Sequence, residues 1–212
     1  MAGTYHSDSE PLRKLAAQHP DRVLAVPYSL GDDDSARAAV DAVSNEWGRL
    51  DALVLNAGRW IGGKLENVGD ADWCELVQAN VGGAAQLVRA ALPELRRGTN
   101  PSVLLVSSVV GLIGHPGDTA YGSAKAALVG FALSLAKEVA KDGVRVNVVA
   151  PGFVETDMTA QVSDRARDRL AGEMLLGRFG TPEEIADAAV FLSEDATYCT
   201  GTVLTVDGGW SL

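Results

Sequence analysis

The sequence predicts an α/β fold built on a doubly wound parallel sheet. Short apolar runs alternate with longer amphipathic runs along the whole chain, which is typical of a parallel sheet covered by helices. Glycine-containing turns separate these runs, for example at 56–58, 142–143 and 151–152. A length of 212 residues suits a sizeable core, and we predict a single domain over residues 1–212.

The predicted elements follow in chain order. The strands span residues 2–5, 23–28, 50–55, 103–107, 144–149 and 202–206. The helices span residues 10–19, 34–47, 70–95 and 120–140. A further helix begins after Thr181, because Thr181 can act as the N-cap, Pro182 suits the first helical position and Glu184 completes a capping box. Residues 153–177 are more polar and only partly helical.

Composition and charge exclude several classes of protein. The formal net charge is −10, which argues against sequence-independent binding to nucleic acid or to anionic membranes. No apolar run approaches the roughly 20 residues that span a bilayer, and the N-terminus lacks the pattern of a signal peptide, so we expect a cytoplasmic protein. Cys74 and Cys199 lack the spacing of metal ligands, and we interpret them as small buried residues; no metal site is predicted.

Tyr121 and Lys125 are the first candidates for chemistry. Their i, i+4 spacing on a predicted helix puts both side chains on one face. An ammonium group beside a phenol favours the phenolate and lowers the pKa of the tyrosine from about 10. Ser108 follows a predicted strand at its carboxyl end, where open α/β sheets bind ligands. Taken alone, the Tyr-Lys pair is weak evidence for a catalytic site, and a solvated helix face is the better interpretation.

Together these residues resemble the short-chain dehydrogenase/reductase family in order and spacing. The resemblance depends on the turn at 56–58, on Asn80, on Ser108, on the run from Tyr121 to Lys125 and on the turn at 151–152. It is nearest to the branch that contains 3-oxoacyl-carrier-protein reductases and polyketide ketoreductases, and it implies a Rossmann-like sheet.

The resemblance also implies a role for each residue. Tyr121 would be the general acid/base, Lys125 would lower its pKa, Ser108 would hold the substrate oxygen, and Asn80 would fix a water in a proton relay. On the residues alone, Asn80 is also compatible with a local backbone bond and Ser108 with a strand-end turn. The residues that would face a nicotinamide, if a cofactor binds, are Asn56, Gly58, Pro151, Gly152 and Thr156.

The family's glycine-rich turn, of the form Thr-Gly-x-x-x-Gly-x-Gly, does not occur in this sequence. Its glycines let the backbone approach the pyrophosphate of a dinucleotide. Ser29 also stands where the family commonly has an aspartate that bonds the adenine. The sequence thus resembles the family only from its second strand onward, without the first strand and first helix. Either the chain is a genuine short form, which we favour, or the natural protein begins further upstream.

From the short form we predict an enzyme that uses no redox cofactor. Ser108 and Tyr121 would then polarise a carbonyl or hydroxyl group of an apolar, acyl or polyketide-like substrate for cyclisation, dehydration, aldol-type or isomerisation chemistry. One alternative is an NADPH-dependent ketoreductase whose cofactor-binding segment is missing from this chain. Another is a non-catalytic subunit that pairs with a longer relative.

Three further expectations concern substrate and assembly. Residues 153–177 would form a lid over the substrate, and His115, Phe153 and Met158 would line the substrate site. On the residues alone, a solvated loop is the favoured interpretation of His115. Without its usual central strand, the sheet would either pair residues 2–5 with 50–55 or receive a strand from a partner chain. The long predicted helices, apolar on more than one face, indicate a homo-oligomer, a dimer or tetramer.

Overall fold

The computed structural model describes residues 1–7, 9–160 and 162–212. The strands are β1 (Ala2–Tyr5), β2 (Leu24–Pro27), β3 (Ala52–Leu55), β4 (Ser102–Val106), β5 (Arg145–Pro151) and β6 (Val203–Val206). The helices are α1 (Glu10–Gln18), α2 (Asp33–Trp47), α3 (Asp70–Val77), α4 (Gly83–Leu95), α5 (Val110–Ile113), α6 (Thr119–Val139), α7 (Asp164–Gly172) and α8 (Pro182–Val190). The α/β class is confirmed, and the predicted strand and helix positions agree with these bounds to within about two residues.

Local chemistry explains where several helices begin and end. Asp32 caps α2 by accepting hydrogen bonds from the backbone N–H groups of Asp34 and Ser35, and Gly48 ends the same helix in the left-handed conformation that glycine adopts without strain. The capping box predicted for α8 is confirmed, since the Thr181 hydroxyl and the Glu184 carboxylate each accept from the other's backbone N–H.

The long predicted helix over residues 70–95 is interrupted. A π-helical turn, Gln78–Gly82, lies between α3 and α4 and holds Asn80. Such turns widen the helix locally and recur at functional sites. Both flanking helices carry buried apolar residues, so the sequence predicted one continuous helix through this turn. Helices α5 and α7 lie in segments for which the sequence predicted no separate helix.

The strands form two separate parallel sheets. In one, β1 pairs with β2, and in the other the order is β3-β4-β5-β6. Strands β4 and β5 have paired neighbours on both sides and are buried almost throughout, whereas Ala52 and Val54 of β3 are exposed. Because successive side chains of a strand point to opposite faces, this alternation shows that one face of β3 is left largely uncovered.

The expected pairing of residues 2–5 with 50–55 is wrong within the described residues, because β1 is bonded to β2 alone and β3 to β4 alone. The two sheets are joined instead by side chains. One apolar cluster includes Val26 and Tyr28 on the side of β2 and Leu55 and Val103 on the side of β3. Packing of α2 against α4 spans the same junction. Apolar burial therefore holds the sheets together where backbone hydrogen bonds do not.

Two findings bear on exclusions made from sequence. Cys74 on α3 is exposed and Cys199 is half-buried, so the interpretation of both as buried residues is wrong, most clearly for Cys74. Among the residues that the structure describes, no helix is both long enough and apolar enough to cross a membrane.

Candidate active site

The candidate residues gather where parallel strands end. Strand β3 leads into Asn56, β4 into Ser107 and Ser108, and β5 into Gly152. Because these strands are parallel and hydrogen-bonded to one another in order, their carboxyl ends lie at one edge of the larger sheet. Helix α6 brings Tyr121 to the same edge, and ligands bind at this edge in open α/β sheets.

Ser108 and Tyr121 lie near each other. The Ser108 hydroxyl is close enough to favour ionisation of the Tyr121 phenol, and it accepts a bond of 3.2 Å from the backbone N–H of Val110. Ser108 is only 6% exposed, and Tyr121 is partly buried. Two hydroxyl groups thus meet at a largely water-excluded point, where a single substrate oxygen can accept a hydrogen bond from each.

Lys125 lies beneath the tyrosine on the same helix face, as the spacing predicted. Its Nζ atom is 5.6 Å from the centre of the Tyr121 ring and donates a 2.8 Å hydrogen bond to the carbonyl oxygen of Val106, the last residue of β4. Burial lowers the pKa of Lys125 from 10.5 to about 8. The site therefore holds an ammonium group that gives up its proton far more readily than an exposed lysine.

The expected lowering of the Tyr121 pKa does not occur in this structure. Burial, together with the negative charge of Asp118, raises the pKa of Tyr121 from 10.0 to about 12, against the opposing hydrogen bond from Ser108. Lys125 bonds a backbone carbonyl rather than the phenolic oxygen, so its charge does not offset the burial. A phenol with this pKa stays protonated at neutral pH and is suited to donate a proton.

Asn80 joins the π-helical turn to the loop after β3. Its side-chain amide donates to the backbone oxygens of Leu76 and Arg59, and its Oδ1 accepts from the backbone N–H of Arg59. The bond to Leu76 is the local backbone bond that the residues alone left open. A Cβ atom on Gly58 would lie 2.7 Å from Asn80 Oδ1 and 3.5 Å from Lys125 Nζ. Glycine at position 58 therefore permits this close approach.

The residues expected near a nicotinamide lie at the same edge. Asn56 and Gly58 are exposed just after β3. Pro151 ends β5, and the backbone N–H of Gly152 donates to Val206 at the end of β6. A Cβ on Gly152 would come within 2.9 Å of Asp207, so this position also requires glycine.

The residues expected to line a substrate divide into two groups. His115 packs against Phe153 with ring centres 6.3 Å apart, and Trp210 lies 4.9 Å from Phe153 and 5.7 Å from His115. Met158 is 53% exposed and does not join this cluster or the adjoining apolar cluster. The backbone N–H of Thr156 bonds the Thr159 hydroxyl, so Thr156 lies in a turn within the expected lid.

Sequence reasoning missed three residues of the site region. Trp60 donates a 2.8 Å hydrogen bond from Nε1 to Asp118, and Asp118 also bonds His115. Trp210 follows the turn after β6 and completes the aromatic cluster. Asp118 lies three residues before Tyr121 at the start of α6, and residues three apart in a helix are neighbours on its surface. This spacing could have identified Asp118 from the sequence. No comparable signal marked Trp60.

The chain is similar to several known proteins over most of its length. Residues 1–211 match the family model described as enoyl-(acyl carrier protein) reductase. A relative from Thermotoga maritima, named 3-oxoacyl-(acyl-carrier-protein) reductase FabG, is 38% identical over 201 residues, which are 94% of this chain and 82% of the relative. The relatives of the same name from Chlamydia muridarum and Escherichia coli are 40% and 39% identical over 87% and 84% of this chain, and over 76% and 73% of their own lengths.

The chain therefore belongs to the short-chain dehydrogenase/reductase family of enzymes. Within that family it lies in the branch of the 3-oxoacyl-(acyl-carrier-protein) reductases.

These matches correct the functional prediction made from sequence. The relatives are named as reductases, and a reduction needs a hydride donor, so the prediction of a cofactor-independent, non-redox reaction is wrong. The interpretation of the chain as a short form that has lost the dinucleotide is likewise unsupported. That prediction was based on the missing glycine-rich turn, although Ser108, Tyr121 and Lys125 are retained together at the sheet edge.

Proposed function

We propose that this chain is an NADPH-dependent reductase of the 3-oxo group of an acyl thioester. The observation that carries the proposal is the grouping of Ser108 and Tyr121 at the sheet edge above a buried Lys125. The names of relatives that match most of the chain support the choice of a 3-oxoacyl substrate. The family model is described as an enoyl reductase, which would reduce a carbon–carbon double bond. The names of the relatives favour a carbonyl as the group that is reduced.

The chain's own residues would act on the carbonyl oxygen. Ser108 and Tyr121 each donate a hydrogen bond to that oxygen, which stabilises the negative charge that develops there. Tyr121 then transfers its proton to the oxygen, and its raised pKa keeps that proton in place until the charge appears. Lys125 holds a cation beneath the ring while its hydrogen bond to Val106 anchors α6 to the end of β4.

The residues at the sheet edge fit the nicotinamide end of the cofactor. Gly58 carries no side chain and so leaves space in front of the Lys125 ammonium. Asn56, Gly152 and Thr156 lie in the turns that follow β3 and β5. When bound, the reduced nicotinamide supplies the hydride. The sequence has no glycine-rich turn for the pyrophosphate, and we assign no residue to that part of the cofactor.

The experiment follows oxidation of NADPH in the presence of an acetoacetyl thioester. We expect Tyr121→Phe to lower kcat/KM by about 10²- to 10⁴-fold, the usual contribution of a general acid, while circular dichroism and melting stay close to those of the wild type. Tyr198→Phe is the matched control, because Tyr198 is fully exposed and should tolerate the change. Near-full activity of Tyr121→Phe, or no oxidation of NADPH or NADH by the wild type, would contradict the proposal.

We also propose that residues 153–177 cover the substrate and that the chain forms a homo-oligomer. Phe153 stacks on Phe179 at 5.2 Å, which ties the start of this segment to the aromatic cluster beside His115. Position 161 of the segment lies outside the described residues. Exposed apolar side chains on α6 and toward the C-terminus provide surface for a partner: Leu133, Val190, Phe191 and Leu212.

Light scattering on the purified chain tests the assembly. We expect the mass of a dimer or tetramer at micromolar concentration, because burial of these side chains removes apolar surface from water. A concentration-independent monomer would contradict it.

A further inference from the structure

Asp118 occupies the N-cap position of α6 but does not cap the helix. Its side chain accepts no hydrogen bond from the first turn of α6, whereas Asp32 and Thr181 at the corresponding positions of α2 and α8 both do. An N-cap aspartate normally stabilises a helix by about 1 kcal/mol through this bond. The carboxylate of Asp118 is therefore committed to other partners.

Those partners come from two loops at the mouth of the site. Asp118 Oδ1 accepts from Trp60 Nε1 at 2.8 Å, and Oδ2 lies 2.9 Å from His115 Nδ1. The backbone joins the same loops, since Gly63 N–H donates to the Gly117 carbonyl at 2.7 Å. The Asp118 side chain is only 13% exposed. The carboxylate thus fixes the loop after β3 to the loop before α6.

The bond to Asp118 also sets the direction of the imidazole. With Nδ1 directed at the carboxylate, Nε2 points to the opposite side of the ring, and it has no hydrogen-bond partner among the described residues. The ring is held edge-on against Phe153 and tilted against Trp210. His115 is therefore fixed by a carboxylate on one side and by aromatic rings on another, with one nitrogen left available for a ligand.

The same carboxylate affects the charge around Tyr121. Asp118 and Tyr121 lie three residues apart at the start of α6, and the negative charge of Asp118 contributes to the raised pKa of Tyr121. Lys125 on the same helix lies near the Tyr121 ring, and His115 on the preceding loop bonds Asp118. Arg59, on the loop after β3, is paired with Glu75.

We propose that Asp118 is a positioning residue of the reduction, which turns His115 Nε2 toward the bound acyl thioester and sets a fixed negative charge near Tyr121 that keeps its phenol protonated before the reaction. The proposal rests on the reductase function proposed above. It makes His115 a substrate-contact residue whose Nε2 accepts a hydrogen bond from an N–H group of the arm that carries the acyl thioester, while Trp60 holds the Asp118 carboxylate in place.

The orientation of His115 is tested first, and without turnover. Nitrogen NMR of the wild-type chain with isotope-labelled histidine reports which ring nitrogen carries the proton, and His115→Gln identifies the signal. We expect the proton on Nδ1, because a carboxylate can only accept. In Asp118→Asn the side-chain amide can donate instead, so we expect the proton to move to Nε2. A wild-type proton on Nε2 alone would overturn the proposed orientation.

The charge beside Tyr121 is tested by NMR of isotope-labelled tyrosine, with Tyr121→Phe to assign the signal. At the highest pH at which circular dichroism shows an intact fold, we expect the ionised fraction of Tyr121 to be about tenfold higher in Asp118→Asn than in the wild type. Asp142→Asn is the matched control, because it removes one carboxylate, paired with Arg96, just beyond the other end of α6. An equal ionised fraction in Asp118→Asn and wild type would overturn the electrostatic part.

Kinetics with NADPH and the acetoacetyl thioester separate positioning from general destabilisation. We expect His115→Gln to raise KM about fivefold, the loss of one hydrogen bond, with kcat little changed. A fall in kcat with unchanged KM would overturn the contact with substrate. If the wild type reduces no 3-oxoacyl thioester, the proposed function fails, while the two NMR measurements still decide the orientation of His115 and the effect of the Asp118 charge.

Discussion

Replacement of Lys125 by methionine should stabilise the fold at neutral pH while it impairs the reaction. A fall in the lysine pKa from 10.5 to about 8 corresponds to about 3 kcal/mol that the folded chain loses by burying the ammonium group. Methionine has similar length and no charge, so this cost disappears. It also leaves the Val106 carbonyl without its donor, at a cost of about 1–2 kcal/mol. The expected net gain is about 1–2 kcal/mol, or roughly 4 °C in Tm.

The stability difference between Lys125→Met and the wild type should depend on pH. Below about pH 8 Lys125 is charged in both the folded and the unfolded chain, so the wild type carries the full cost of burial. Between about pH 8 and 10.5 the unfolded chain binds the proton more tightly, and the stability of the wild type rises with pH. The advantage of Lys125→Met should therefore shrink as the pH rises to about 10. Above pH 10, titration of Tyr121, whose pKa is raised to about 12, lowers the stability of both proteins and so leaves their difference unchanged.

Urea denaturation at neutral pH and at about pH 10 measures both stabilities, with Lys137→Met as the control. Lys137 is exposed on the same helix, so its removal should change stability little at either pH. The reasoning is refuted if Lys125→Met is less stable than the wild type at neutral pH. An advantage that is the same at both pH values would refute it equally.

Two further changes test the scaffold. Arg145→Met should destabilise the chain by about 3 kcal/mol in urea denaturation. The buried guanidinium donates to the backbone oxygens of Leu192, Ser193 and Ala196, and without these hydrogen bonds the buried acceptors are left unpaired. An unchanged denaturation midpoint would contradict this. The pKa of Glu184 is lowered to about 2 by Arg178, so its contribution to stability should be lost as the pH falls from 4.5 to about 2. Glu184→Gln should therefore flatten the dependence of Tm on pH in that range, and a Tm profile parallel to the wild type would contradict it.

Features that depend on neighbours in the sequence were predictable. The capping box of Thr181 and Glu184 depends on residues three apart, and the placement of Lys125 under Tyr121 depends on residues four apart. The strand positions follow equally local runs of apolar residues.

Features that depend on distant partners were not predictable. The bond between Trp60 and Asp118 joins residues 58 apart in sequence, and nothing near either residue announces the other. Burial, rather than spacing, decides the pKa values of Tyr121 and Lys125, and burial depends on the whole fold. The pairing of β1 likewise depends on which edges are available, which its own residues, 2–5, do not encode.

The break between the two sheets has a mechanical consequence. A continuous ladder of backbone hydrogen bonds makes a sheet respond to strain as one body, but within the described chain no ladder joins β1 to β3. Only side-chain packing, such as that of α2 on α4, resists sliding of one sheet past the other. The junction is a shear plane, and the unit from β1 to β2 can detach at a lower free energy than the sheet that carries Ser108. The amides of β1 and β2 would then exchange with solvent well before those of β4 and β5.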